Sequence, residues 1–348
     1  MKNLTQFETK AEYDSYITGP DAALPNVSYV DDMDEVKYKL KDYTKEYFQL
    51  RAMTDGTFNL QANGSLTRSQ IDNIDLEYCY NDGPWDAIDF DSGLIITVQK
   101  DDTIKLRGNN SAMSIVDSFP IRFLDWEYMI GKWAVSGNIM SLLDSSNFAT
   151  MTTVPENCFY AFFAEFYGLV NAKLLTLPAT TLNTGCYNAM FAACQELVIA
   201  PAILPATTLA PTCYCNMFSD CVKLVLAPKI AATTLAEHCC SYMFGMCSSL
   251  QTAPALLANT LVSNCYAEMF AECQKLSYIK CLADVPAPER GSAYTNGWTY
   301  NVSTSGTFVL LNNSLSNWPT GTSGIPCDWQ MYDESGQPLG TCSCSDPK

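Results

Sequence analysis

The chain has 348 residues, of which 48% are hydrophobic and 16% charged, and a formal net charge of −17. That balance is too apolar for a disordered chain and too lightly charged for a coiled coil, and the length allows two or three domains with cores of their own. The acidity, with no cluster of Lys and Arg, speaks against nucleic-acid binding and against docking on an anionic membrane surface.

Residues 1–46 are polar and acidic and begin without the apolar core of a signal peptide. No apolar run reaches the roughly 18 residues of a membrane span. These features predict synthesis in a cytoplasm without export by the general pathway. One extended apolar phrase stands out, Leu24-Pro25-Asn26-Val27-Ser28-Tyr29-Val30, and the segment reads as an anchoring or attachment region. Asp31, Asp32, Asp34 and Glu35 after it read as a solvated acidic face.

Residues 47–148 change character. Short alternating phrases such as Leu94-Ile95-Ile96-Thr97-Val98 and Thr103-Ile104-Lys105-Leu106-Arg107 predict strands. Turn signals separate them at Asp55-Gly56, Asn63-Gly64, Asn81-Asp82-Gly83-Pro84 and Gly108-Asn109-Asn110. The spacing predicts a β-sandwich-like domain. Asp82, Asp86, Asp89 and Asp91 cluster in it; calcium takes several carboxylate oxygens, but the spacing matches no EF-hand, so a solvated loop is expected.

Residues 149–284 hold a tandem repeat. The phrase Cys186-Tyr187-Asn188-Ala189-Met190-Phe191-Ala192-Ala193-Cys194 returns at 213–221, 239–247 and 265–273, with a degenerate first copy from Cys158. The first cysteines stand at 158, 186, 213, 239 and 265, so successive copies are 28, 27, 26 and 26 residues apart. A leucine follows each second cysteine at Leu197, Leu224, Leu250 and Leu276. Between copies runs Leu-Pro-Ala-Thr-Thr-Leu, at 177–182 and 204–209, with weaker versions at 230–235 and 256–261.

Cys186, Tyr187, Met190, Phe191 and Cys194 fall at i, i+1, i+4, i+5 and i+8, which predicts one face of a short helix. The β-branched stretch after it, stopped by proline, predicts a very short strand. Such a unit cannot bury its apolar face alone. The expected architecture is therefore multidomain and mixed. It comprises the small N-terminal anchor, the β-sandwich-like domain and a leucine-rich-repeat-type solenoid with a short strand and a short helix in each of about five coils. Residues 285–330 are expected to cap the open end, and residues 331–348 to form a flexible tail.

The 16 cysteines are read chiefly as reduced core rungs, because most recur at fixed places in the repeat. Their Cys-x7-Cys spacing is not that of a zinc site, and Cys213/Cys215 and Cys342/Cys344 are isolated pairs. His238, the single histidine, would have to serve any Ser-His-Asp or Cys-His arrangement, but its place in the repeat predicts a solvent-facing turn. The Met-Phe stripe predicts core. No catalytic residue, metal or cofactor is expected, and nothing in the sequence places two carboxylates across a cleft as glycoside hydrolysis requires. The outer turns vary between copies at Gln195, Glu196, Asp220, Lys223, Ser248, Ser249, Gln274 and Lys275, and these are the candidate ligand-binding residues.

The phrase Met-Phe-x-x-Cys-x-x-Leu resembles the BspA-like leucine-rich repeats common in gut Bacteroides and their phages, with Pro-Ala-Thr-Thr-Leu as an insertion. The phrase at 135–143 and Gly-Ile-Pro-x-x-Trp at 324–329 fit the same group, so the resemblance covers about residues 47–329. Bacterial members are usually exported. The opening of this chain, including Leu24 to Val30, is similar to the capsid-proximal N-terminus of virion surface proteins of crAss-like phages. The resemblance implies a head fibre or capsid decoration protein, a homodimer or homotrimer, on the virion surface. Leu24, Pro25, Asn26, Val27, Tyr29 and Val30 would dock on other capsid or virion proteins, and the repeats would project toward host surface polysaccharide or gut glycans. A receptor-binding tail fibre, a bacterial cell-surface adhesin and a carbohydrate-active enzyme with accessory repeats are the alternatives.

Overall fold

The computed structural model describes residues 42–115, 120–284, 294–311 and 318–344. The proposed anchoring residues Leu24, Pro25, Asn26, Val27, Tyr29 and Val30 lie outside the described residues.

The first half is built on alternation. Strand β1 (Phe48–Ala52) buries Phe48, Leu50 and Ala52 and turns Gln49 and Arg51 outward. It pairs antiparallel with β6 (Thr103–Gly108) on one side and β10 (Trp133–Asn138) on the other. Strands β3 (Leu76–Tyr80) and β4 (Trp85–Ala87) extend this sheet beyond β6. A smaller sheet joins β2 (Gly56–Ala62), β5 (Leu94–Val98) and β9 (Leu124–Asp125), and β7 (Ser114–Ile115) pairs with β8 (Ile121–Arg122). Phe58 and Leu60 from β2 pack with Trp126, Trp133 and Val135 in one core. A four-residue helix, α1 (Arg68–Ile71), starts at a capping box formed by Thr67 and Gln70.

The end of β10 shows why one phrase has the residues it has. Gly137 has φ +81°, and a Cβ there would meet the Tyr47 carbonyl oxygen at 2.0 Å. Only glycine allows that approach. Asn138 then accepts from the Met140 N–H (3.0 Å) and donates to the Thr44 carbonyl (2.8 Å), turning the chain into a 3-10 turn at Ile139–Leu142.

The expected sandwich-plus-solenoid architecture is overturned. Strands make up 29% of the structure and helix 6%, in several small open sheets. The large sheet is not confined to the first half. Its outermost strand, β11 (Leu169–Thr176), comes from the first repeat and pairs parallel with β10. Within the repeats no continuous strand ladder forms. Pairing there reaches two residues, between β12 (Ile203–Leu204) and β13 (Lys229–Ile230), and is otherwise isolated bridges such as Asn171↔Ile199 and Ile199↔Leu226. Pro201, Pro228 and Pro254 interrupt these segments and supply no N–H for a ladder.

No helix forms in the described repeat segments 158–281 either. The Cys-to-Cys phrase is instead a ribbon of overlapping turns. Every fourth residue has positive φ, as at Asn157 (47°), Ala161 (49°) and Glu165 (62°), and again at Gly185 (60°), Ala189 (55°) and Ala193 (57°). Alternate N–H groups bond three residues back, as Tyr160 to Asn157 (3.0 Å) and Phe166 to Phe163 (3.0 Å). The others reach the next repeat: Phe159 to Cys186 (2.9 Å), Ala161 to Asn188 (2.9 Å), Phe163 to Met190 (2.7 Å) and Glu165 to Ala192 (2.9 Å). An α-helix would spend all its interior N–H groups on its own axis. Here half of them join one repeat to the next.

The side chains follow the backbone. Phe163, Phe191, Phe218, Phe244 and Phe270 stack face to face at centroid distances of 5.1–5.8 Å. Cys194, Cys221, Cys247 and Cys273 each donate an S–H to the carbonyl of the column phenylalanine one repeat earlier, at 3.0–3.1 Å. Trp126, whose indole N–H bonds the Phe162 carbonyl, stacks on Phe166 and covers one end of the pile. Trp298 covers the other end. It packs on Tyr266 and Phe270, stacks with Trp318 at 5.6 Å, and donates to the Gly324 carbonyl (2.8 Å).

Beyond Trp298, β14 (Tyr278–Lys280), β15 (Thr307–Leu310) and β16 (Gln330–Asp333) run parallel, and β17 (Pro338–Thr341) returns antiparallel to β16. Cys327 and Cys344 form a disulfide. The chain expected to be a flexible tail is therefore paired and cross-linked as far as residue 344.

Candidate functional site

The outer corner of each repeat is made by the last left-handed residue of the ribbon. At Glu165, Ala193, Met246 and Glu272 the N–H two residues on bonds back to that residue's carbonyl at 2.8–3.0 Å, a tight reversal of direction. The residues just past the reversal are the ones that vary between repeats. The structure brings all eight candidate ligand residues to this corner, in files along the pile.

Their engagement differs. Glu196 accepts from Lys223 Nζ (2.6 Å) and from Lys132 Nζ (2.8 Å), which lies just before β10. These two lysines hold its carboxyl below the usual carboxylate range, Lys132 first. Gln195 donates to Asp220 (3.4 Å), and Ser248 donates to the Val222 carbonyl (3.4 Å). Ser249, Gln274 and Lys275 make no side-chain hydrogen bond or ion pair among the described residues. Lys132 and Glu196 thus tie the first half of the molecule to the repeats, while Ser249, Gln274 and Lys275 farther along the corner stay uncommitted.

The structure adds residues that the repeat phrase did not flag. Tyr167 (47% exposed), Met246 (43%) and Tyr300 (55%) stand out along the same corner, beside Glu165, Asp220 and Glu272. Burial and the nearby carboxylates of Glu165 and Glu127 push the Tyr167 hydroxyl up. Glu165 is itself paired with Arg122 (3.2 Å), whose side chain is only 10% exposed and also faces Asp125 (3.6 Å). Tyr167 occupies the place of Gln195 one repeat earlier, so aligning the degenerate first copy could have found it. Tyr300 sits in a turn with no recognisable copy of the phrase.

Other candidates resolve into structural roles. Asp91 pairs with Arg68, Asp82 with Lys105, and Asp89 accepts from the Asp91 N–H (3.0 Å) and the Ser92 hydroxyl (2.9 Å), so these carboxylates do not converge. Asp86 stays exposed on β4. Among the described residues no group of three His, Cys, Asp or Glu side chains could hold a metal. A shallow, open recess of about 160 Å³ is lined by Arg68, Ile88, Phe90 and Asp91, and its Arg68 and Asp91 are already paired with each other. His238 lies in a left-handed turn (φ 53°) with Nε2 3.4 Å from Asn264 Nδ2.

Burial keeps most thiols of the pile in the neutral form; Cys239 is the exception, lowered by a hydrogen bond from Cys240. Burial pushes Cys186, Cys273 and Cys281 up to about 12, and Cys158, Cys194, Cys213, Cys221 and Cys247 up as well. The neighbouring Cys239 thiol, together with burial, raises Cys240. A thiolate is the reactive form, and this surrounding disfavours it. Cys215 alone among the repeat cysteines is partly exposed, and it too is pushed up to about 11 by burial.

No protein-family model matches the chain, and comparisons with curated proteins and with solved structures find no match. No helix among the described residues is long and apolar enough to cross a membrane.

Proposed function

We propose that this chain is a virion surface protein, a head fibre or capsid decoration protein, that presents a binding corner on a rigid pile of repeats. In this reading it is made in the host cytoplasm, assembles as a homodimer or homotrimer, and attaches to other capsid proteins through its N-terminal segment. The observation that carries the reading is the corner itself. Its backbone is locked by hydrogen bonds between repeats, yet its side chains change from Gln195-Glu196 to Val222-Lys223, Ser248-Ser249 and Gln274-Lys275. A fixed scaffold with variable exposed positions suits recognition. The rings of Tyr167 and Tyr300 beside Glu165, Asp220 and Glu272 suit a host surface polysaccharide, by stacking and by hydrogen bonds to hydroxyls. Attachment rests on the likeness of residues 24–30 to capsid-proximal segments.

The test is deletion of residues 1–46. The truncated chain, shown folded by circular dichroism, should be missing from purified capsids that carry the full chain. Co-purification at full level would end the attachment reading. A second reading, a bacterial cell-surface adhesin, is favoured by the Cys327–Cys344 bond, because disulfides persist in oxidising surroundings. Finding the protein in the envelope fraction of uninfected cells would select that reading.

A further inference from the structure

We infer that β17 is a redox latch, a terminal strand whose cover over the open edge of β16 depends on the Cys327–Cys344 disulfide. Strands β14, β15 and β16 form a parallel run at the end of the pile, and the outer edge of β16 would otherwise present unpaired N–H and C=O groups. β17 closes that edge through a hairpin whose turn is held at Asp333, which accepts from the Ser335 and Gln337 N–H groups (2.9 and 2.8 Å), while the strand itself is shallowly packed. None of its four residues is buried, Pro338 has no N–H to give, Gly340 sits at φ +110°, and the pairing is irregular between Met331 and Tyr332. Past the strand, Cys342 is buried; its carbonyl accepts from the Asp328 N–H and its own N–H donates to the Trp329 carbonyl, both at 2.9 Å. The covalent bond then joins residues 17 apart and encloses the whole hairpin. This loop is the only element of the cap that a change of redox state alters directly.

The remaining cysteines leave the switch to this one bond. The other 14 are free thiols, so reduction removes no second cross-link. Cys342 donates to the Ile325 carbonyl (3.4 Å), and burial and Asp328 push its thiol up, which leaves less of the thiolate that exchange with the neighbouring disulfide requires. A dithiol reductant opens the bond. Its thiolate attacks one sulfur, the S–S bond breaks, and two electrons and two protons pass to Cys327 and Cys344 as the reductant leaves as a cyclic disulfide. An oxidised dithiol reverses the step.

The experiment is amide hydrogen exchange by mass spectrometry on the full chain, untreated and in dithiothreitol, with a Cys327→Ser/Cys344→Ser double variant alongside. Alkylation mapping of the untreated protein should first find both cysteines blocked. Opening a loop of this size should speed exchange of residues 338–342 by about 100-fold, with residues 158–281 and 307–310 unchanged. The double variant should match the reduced protein and not respond to dithiothreitol. Unchanged protection of 338–342 on reduction, or free Cys327 and Cys344 in the untreated protein, would overturn the latch. So would deprotection that spreads through 294–311, since the bond would then hold the whole cap and not the strand.

Discussion

The β-region and the repeat pile solve the same problem, satisfying backbone groups around an apolar core, with different periods. In β1, β6 and β10 the period is two: alternate side chains enter the core, and N–H groups pair sideways with antiparallel neighbours. In the pile the period is four. Cys186, Tyr187, Met190, Phe191 and Cys194 are all buried, and each set of four residues spends one residue in the left-handed region. That conformation costs roughly 1–2 kcal/mol per residue away from glycine. Hydrogen bonds between repeats and the aromatic columns offset it. The β-region therefore tolerates most residues that keep its alternation. The pile depends on contacts that exist only when a neighbour is stacked on each side.

The largest effect that would sharpen this contrast comes from the column. Phe218 is fully buried between Phe191 at 5.1 Å and Phe244 at 5.5 Å. Phe218→Ala should cost about 3–5 kcal/mol. Hydrogen exchange should rise first in residues 191–244 while β1, β6 and β10 keep their protection, because each repeat leans on its immediate neighbours. Equal loss across both regions would show that they unfold as one unit and break the contrast.

A smaller effect tests the ribbon by its sign. Ala189 has φ +55°. If the segment were a helix, Ala189→Gly would destabilise it by about 1 kcal/mol. In the left-handed ribbon the same change removes Cβ strain and should leave stability level or raise it by up to about 1 kcal/mol. Chemical denaturation midpoints distinguish the two. Gly185 is the natural counterpart at φ +60°, where a Cβ would meet Asn157 Oδ1 at 2.0 Å.

The smallest effect concerns the tie between the regions. Lys132 and Lys223 depress the folded carboxyl of Glu196, so its contribution is fully present above the unfolded glutamate value near about 4.3 and is lost as pH falls through the lower folded value. The pair is partly solvated, so Glu196→Gln should cost about 0.5 kcal/mol at neutral pH and low salt. The difference from the parent chain should shrink below about pH 4 and also in high salt. A difference that does not shrink at all as pH falls would mean that Glu196 acts by packing and not by charge.

Much of this was legible in the residues. The strands at β5 and β6 lie where the alternating phrases put them, and Asn81-Asp82 makes the turn its residue types suggest, with φ 47° and 58°. The buried rungs of every repeat, including Leu197, Leu224, Leu250 and Leu276, are the positions that recur. The positions that vary between copies lie at the corner. What was misread is the period. Burial at i, i+1, i+4, i+5 and i+8 repeats every four residues, not every 3.6, and Asn157, Gly185 and Asn264 just before the phrase and Asn216 within it are turn-forming residues that a helix face does not call for.

By itself the sequence determined which side chains are buried together, because identical rungs at a fixed spacing have a common environment only when stacked. It also determined where the copies begin and end. Only the tertiary structure decided where the backbone groups go. Whether an N–H bonds along its own segment or across to the next depends on a partner more than 20 residues away, as in Phe159 to Cys186. The same holds for Lys132 reaching Glu196, for β11 joining β10, and for Cys327 meeting Cys344. Local residue preference carries no record of such distant partners, and they are what turned an expected helix and strand into a pile of turns.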